Sequence, residues 1–388
     1  MGFVNKKFPI FLMFTGIAFF QLADAPVIPA GLTALDYGRW VVGRRSTGVN
    51  QRAAWSNDGI TWNNATTPTS NNYYYSSFSP TLGIYVLGTN DNTQTLITST
   101  NGVTWTSRSK PTTGGMGPIE WCGGWNKFLA ISRGQTPSSS FNIISSTDGI
   151  NWIQIFTQSG AATGDTVTWT WTSEFAETPF GYQWLGSYRA GAAGTHSVAI
   201  YSSDGSNFTT YSLLQIDSQT GILYNTTLNT WMAWGAEGPT TTTSQIVISK
   251  TASSSTSWTR YTIQRAPASA LVFGAATTND GQNGGTASPP RTVIVNNSGA
   301  STTTPIRYSD TLANGSWTNV TLSNLAYNIY HCAYSRALGQ FLAVRENTNF
   351  LTSTNGSTWT TRTYPGTNYV SGIFGEGIRT NGFRVGGT

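Results

Sequence analysis

Ser146-Thr147-Asp148-Gly149-Ile150-Asn151-Trp152 reads as a tight hairpin turn followed by the first aromatic of a new strand. Asp-Gly and Asn-Gly are strong hairpin signals, because both residues tolerate positive φ. The Ser and Asp side chains can hydrogen-bond nearby backbone and tie such a turn down. An apolar run, Asn142-Ile143-Ile144-Ser145, leads into it. The phrase recurs along the chain. Ser56-Asn57-Asp58-Gly59-Ile60-Thr61-Trp62, Ser99-Thr100-Asn101-Gly102-Val103-Thr104-Trp105 and Ser353-Thr354-Asn355-Gly356-Ser357-Thr358-Trp359 are close copies. Ser203-Asp204-Gly205-Ser206-Asn207-Phe208 keeps the turn and replaces Trp by Phe. Ser249 to Trp258 and Ser309 to Trp317 are looser, with longer turns. Seven copies spaced roughly 40–60 residues apart mean a repeat architecture, and a four-stranded propeller blade needs about that length.

Two further runs precede each turn. The nearer ones include Trp40-Val41-Val42, Ile84-Tyr85-Val86-Leu87, Phe128-Leu129-Ala130-Ile131 and Phe341-Leu342-Ala343-Val344. The farther ones include Tyr73 to Phe78, Ile119 to Cys122, Val167 to Thr172 and Ile329 to Ala333. Each repeat thus holds about four short strands, and no apolar stripe of helical period survives the Gly, Thr, Ser and Asn. The expected fold is all-β: a seven-bladed β-propeller of four-stranded antiparallel blades over residues 38–388, with an extended N-terminal arm over 1–37. The first blade lacks an inner strand on its N-terminal side. Tyr369 to Phe374 is expected to supply it and close the ring, which would hide unpaired strand edges. Asn381 to Gly386 competes with Arg39 to Gly43 for the next position.

These turns resemble the Asp-box (BNR) repeat of sialidase-like β-propellers, Ser-x-Asp-x-Gly-x-x-Trp in outline. The resemblance covers roughly residues 38–388 and speaks to fold more than to function. It implies that the box is a structural turn, far from any central site. Asp58, Asp148 and Asp204 are then turn residues, and Asn101 and Asn355 fill the same place with a side chain that hydrogen-bonds but does no acid chemistry.

Charged residues make up only 10% of the chain and aromatics 13%, with 15 Trp. The net charge of +5 comes from 21 basic and 16 acidic residues, scattered without a cluster beyond Arg44-Arg45, so nucleic acid is not an expected partner. Most Trp are expected to fill the packing between blades. Cys122 and Cys332 fall on inner strands of the third and seventh blades, too far apart to bridge, and read as buried thiols. His196 and His331 lie in different repeats, and there is no metal-ligand spacing, phosphate loop or nucleophile elbow. Neither metal nor cofactor is expected, and no enzyme is expected.

The N-terminus pairs Lys6-Lys7 with the apolar stretch Phe8 to Phe20 and then Ala23-Asp24-Ala25. This pattern is that of a secretory signal peptide. The other reading is an uncleaved apolar arm that docks on partner chains.

A sialidase-like enzyme would need an arginine triad, a Tyr–Glu nucleophile pair and an acid–base Asp. Arg44, Arg45, Arg133, Arg189 and Arg345 follow second strands and could converge on one face, though solvated loop arginines are the favoured reading. Glu120, Glu174 and Glu376 lie on or beside inner strands, where a glycosidase would need two carboxylates about 5–9 Å apart. The expected function is a non-enzymatic virion protein of a bacteriophage, oligomeric in its assembly and docked on other virion proteins through residues 1–30. The propeller would project outward for decoration or to bind a host-surface glycan. The alternative is a secreted glycan-binding or sialidase-like propeller with a cleavable signal. The candidate contact surface is the loop face carrying Arg45, Arg133, Arg189 and Tyr188.

Overall fold

The computed structural model describes residues 39–43, 52–89, 95–133, 140–158, 169–190, 196–213, 218–236, 243–264, 271–278, 290–297, 306–322, 329–335, 338–345 and 349–363. Seven antiparallel sheets follow one another along the chain, six with four strands and the first with three. Within each sheet the strands lie in chain order, so each blade is a simple meander. In blade 4, for example, the inner strand Trp169–Thr178 pairs with Gly181–Ala190, then come His196–Ser202 and the outer strand Thr209–Ser212. The chain is an all-β, seven-bladed propeller. Among the described residues the helical elements are two single 3-10 turns, Gly123–Trp125 and Ser255–Ser257.

The turns explain why the repeat is legible. In five boxes the Ser Oγ accepts the Gly N–H at 2.8 Å. The Oδ1 of Asp58, Asn101, Asp148, Asp204 or Asn355 accepts the N–H groups of the two residues that follow the Gly, at 2.7–3.0 Å. An Asn can replace the Asp because Oδ1 alone takes both backbone N–H groups; in Asp148 and Asp204 the second oxygen also accepts, from the side-chain amides of Asn151 and Asn207 at 2.7 Å. In four boxes the closing indole donates its Nε1–H back to the Gly carbonyl, at 3.2, 3.2, 3.1 and 2.9 Å for Trp62, Trp105, Trp152 and Trp359. In the fourth box the capping hydroxyl belongs to Ser202, one residue before the Ser203 at which the sequence copy begins. The two loose copies keep the same first bond: Ser249 Oγ accepts from Ala252 N at 2.9 Å and Ser309 Oγ from Leu312 N at 3.0 Å. Ala252 and Leu312 take the left-handed conformation that Gly takes elsewhere, with φ 50 and 57.

The register is as regular as the turns. The box Ser stands opposite an aromatic of the second strand in six blades: Trp40, Tyr85, Phe128, Trp184, Trp231 and Phe341. Facing inner-strand rings pack against several of these, Phe78 tilted on Tyr85 at 4.3 Å and Trp121 edge-on to Phe128 at 4.8 Å. Each described inner strand also carries a bulge near its start, as between Tyr73 and Tyr75 or Thr170 and Thr172. A bulge adds twist where the blades crowd the axis. Trp40, Trp121, Trp184, Trp231 and Trp234 are buried in the blades and the seams between them, each contributing about 3 kcal/mol of burial. Ala333, Leu342, Val344 and Phe350 of blade 7 join Trp40, Val42, Ala54 and Trp62 of blade 1 in one cluster, so the ring is closed. Cys122 and Cys332 are buried, unbridged thiols. The arm over residues 1–37 and the rival closing segments Tyr369 to Phe374 and Asn381 to Gly386 lie outside the described residues.

Candidate functional site

Side chains along a strand alternate between its two faces, and in a stack of blades those faces are two different seams. This alternation decides the fate of the loop-face candidates. Arg133 ends the second strand of blade 3, opposite Phe141, and Arg189 lies near the end of the second strand of blade 4, opposite Trp169 and Ser197. Their backbones therefore occupy corresponding ends of adjacent blades. Arg45 lies outside the described residues. Tyr188 does not belong to a contact surface: it is 3% exposed and its ring lies 4.9 Å from that of Phe141 in the seam between blades 3 and 4. Burial there pushes its phenol up to about 12. It is a core residue because its parity along the strand matches Trp184, which packs in the same cluster.

Glu120 and Glu174 occupy the same register of adjacent inner strands, opposite Leu129 and Leu185, and both are buried. Cross-strand partners share a face. Leu129 packs in the seam between blades 3 and 4 and Leu185 in that between blades 4 and 5. The two carboxylates thus face different seams rather than each other.

The opposite end of the blade 3–blade 4 seam carries a feature that sequence reasoning missed. The inner strand of blade 4 is ten residues long, against seven in blade 3, and its hairpin stands out beyond its neighbours. The turn is locked by Thr178, whose Oγ1 accepts the Phe180 N–H at 3.1 Å and donates to the Gly181 carbonyl at 2.9 Å. Gly181 has φ +97, a conformation closed to other residues without strain. Phe180 at the tip is 65% exposed and Tyr182 is 37% exposed. One face of the Tyr182 ring lies nearly parallel to Phe175, centroids 5.6 Å apart, and Trp125 meets Phe175 edge-on at 4.9 Å. The Tyr182 ring also rests on the backbone of Gly124, where a Cβ would come within 2.4 Å of it. Lys127 donates from Nζ to the Gly205 carbonyl at 2.7 Å and lies 5.8 Å over Trp125. Glu177, exposed, stands directly opposite Tyr182 across the hairpin. The result is a ledge of aromatic rings with a polar rim of Glu177, Asn126 and Ser206. The signal in the sequence was Pro179-Phe180-Gly181, an aromatic at a two-residue turn where no strand can cover it.

Several solved structures share this architecture. A periplasmic gluconolactonase of Pseudomonas aeruginosa is 9% identical over 86% of this chain and 99% of its own, with a TM-score of 0.57. YCF48 bound to D1 peptide is 13% identical over 86% of this chain and 90% of its own, TM-score 0.54. A catalytically inactive virginiamycin B lyase of Staphylococcus aureus, with quinupristin, is 10% identical over 78% of this chain and 87% of its own, TM-score 0.53. These likenesses show the fold. No protein-family model and no curated protein sequence matches the chain. The expectation that the chain is not an enzyme does not stand, because the propellers it resembles include a lyase and a gluconolactonase. A missing local motif is poor ground for that expectation on this fold, where a site is assembled from residues on several blades. At such identity no activity passes from those proteins to this one.

Proposed function

We propose that the chain is a recognition propeller of a bacteriophage particle. It would bind a host-surface glycan on the ledge between blades 3 and 4, with residues 1–30 docked on other virion proteins. The observation that carries this reading is the exposed pair Phe180 and Tyr182, backed by packed rings and bordered by polar groups. Sugar rings have one apolar face and a polar rim, and such a ledge matches both. The low charge and the Asp-box resemblance of the turns fit a protein exposed on a particle. Weak single-site contacts would be strengthened by copy number. The strand ends carrying Arg133 and Arg189 are the second place to look, together with Arg45 of the same sequence expectation. A glycan array read with the intact chain and with Phe180→Ala and Tyr182→Ala tests the site: binding should fall in both variants. Deleting residues 1–30 should leave a folded propeller that no longer joins its particle. A secreted glycan-binding propeller is the other reading, favoured by Lys6-Lys7, the apolar run and Ala23-Asp24-Ala25. A mature N-terminus at Pro26, found by mass spectrometry of the natural protein, would decide for it.

A further inference from the structure

We infer that the ledge selects sugar rings bearing a protonated amine over acidic sugars, an inference that rests on the glycan reading above. Glu177 and Tyr182 are directly opposed residues of one hairpin. Side chains so placed share a face, with Cβ atoms about 5 Å apart, close to the width of a hexose ring. Both are exposed, and Glu177 has no ionic partner among the described residues. The ledge's cation is committed elsewhere: the Lys127 ammonium points at the Gly205 carbonyl. Lys127 keeps its positive charge there, so it is the Glu177 carboxylate, directly opposite Tyr182, that sets the charge met by a ligand at that ring, on a chain that as a whole carries +5.

A ring laid on Tyr182 and Phe180 brings its substituents to Glu177. An ammonium there gains a charge-assisted hydrogen bond to the carboxylate. A sugar carboxylate would meet a like charge instead. Both effects are modest at an exposed site and are screened by salt.

Titration calorimetry on the full chain tests this, on the acid side of the amine's pKa. The probes are glucosamine oligomers, N-acetylglucosamine oligomers of equal length, and sialyllactose. Glucosamine oligomers should bind about fivefold more tightly than the acetylated ones, and sialyllactose weakest. High salt and Glu177→Gln should each remove that advantage, so that the two oligomers bind equally in the same protein. Tyr182→Ala should weaken both oligomers. Equal affinity for the two oligomers, or a preference that survives Glu177→Gln, would overturn the charge selection while the glycan reading stood. Failure of every sugar to bind, or indifference to Tyr182→Ala, would overturn both. Oligolysine binding as tightly as the glucosamine oligomer, insensitive to Tyr182→Ala, would also overturn the selection, by showing a bare attraction of cations.

Discussion

The indole of Trp62 in the first blade meets the ring of Phe350 in the last edge to face, with centroids 4.5 Å apart. The two residues are far apart in sequence, and their contact joins the ends of the ring. Both are buried, and Trp62 also donates to the carbonyl of Gly59 in its own turn. Gln340 of blade 7 reaches the same Gly59, so turn and seam are one unit. Trp62→Ala should cost about 3–5 kcal/mol of unfolding free energy in urea titration. A double-mutant cycle with Phe350→Leu should return a coupling of about 1 kcal/mol. Additive effects would mean that the seam is not held by this pair.

Stability should fall as acid protonates the box carboxylates. The backbone N–H of Asn207, its side-chain amide and the Ser206 N–H hold the Asp204 carboxyl at about 2, against slight burial. At Asp148 burial pushes the carboxyl up, but the amides of Asn151 and the Ile150 N–H outweigh it and also hold it at about 2. A carboxyl lowered in the folded state stabilises fully above its ordinary pKa of 3.8 and loses that contribution as pH falls through about 2. Asp148→Asn with Asp204→Asn should flatten the melting temperature between about pH 4 and pH 2. Asn101 and Asn355 show that the turn accepts the amide. An unchanged acid profile in the double variant would place the loss elsewhere.

Blade 6 breaks the aromatic ladder, and a buried polar node fills the gap. Asn225 Nδ2 donates to Thr277 Oγ1 at 3.1 Å, Thr292 Oγ1 at 3.2 Å and the Pro290 carbonyl at 3.3 Å, while its Oδ1 accepts from Leu228 N at 3.0 Å. Asn225→Leu alone should destabilise by about 2–4 kcal/mol, because it removes the partner of buried groups. Adding Thr277→Val and Thr292→Val should recover a good part of the loss in the same thermal melt. No recovery would show that volume, not hydrogen bonding, sets the cost.

Arg291 links blade 6 to blade 7. Its guanidinium lies 4.1 Å over the Tyr308 ring, holds Asp310 through Nε and Nη2 at 2.8 Å each, and donates from Nη1 to the Asn355 carbonyl at 2.7 Å. Lysine cannot reproduce this fork. Arg291→Lys should lower stability by about 1 kcal/mol at low salt and less at high salt. A loss independent of salt would assign the effect to stacking on Tyr308.

The sequence was readable wherever the physics is local. A box closes its hydrogen bonds within a few residues, so Ser146, Asp148 and Gly149 announce their turn without reference to the rest of the chain. The looser copies at Ser249 and Ser309 keep the first of those bonds, with Thr311 Oγ1 standing in for the Asp oxygen in the second of them, and their Ala252 and Leu312 conceal a left-handed residue that Gly would have advertised.

By itself, then, the sequence determined the all-β class, the number of blades and the place of each turn, because repeat spacing and turn chemistry are properties of short segments. Tertiary structure alone decided which face of each strand meets a neighbour. Tyr188 and Tyr182 sit on the same strand with the same parity, yet one is sealed in the seam and the other lies open on the ledge. The difference is the length of the blade 4 hairpin relative to the blade beside it: where blade 3 turns back, only the backbone of Gly124 meets the Tyr182 ring, which stays 37% exposed. Glu120 and Glu174, equivalent in register, were parted into separate seams for the same reason, since a strand's two faces belong to two different neighbours.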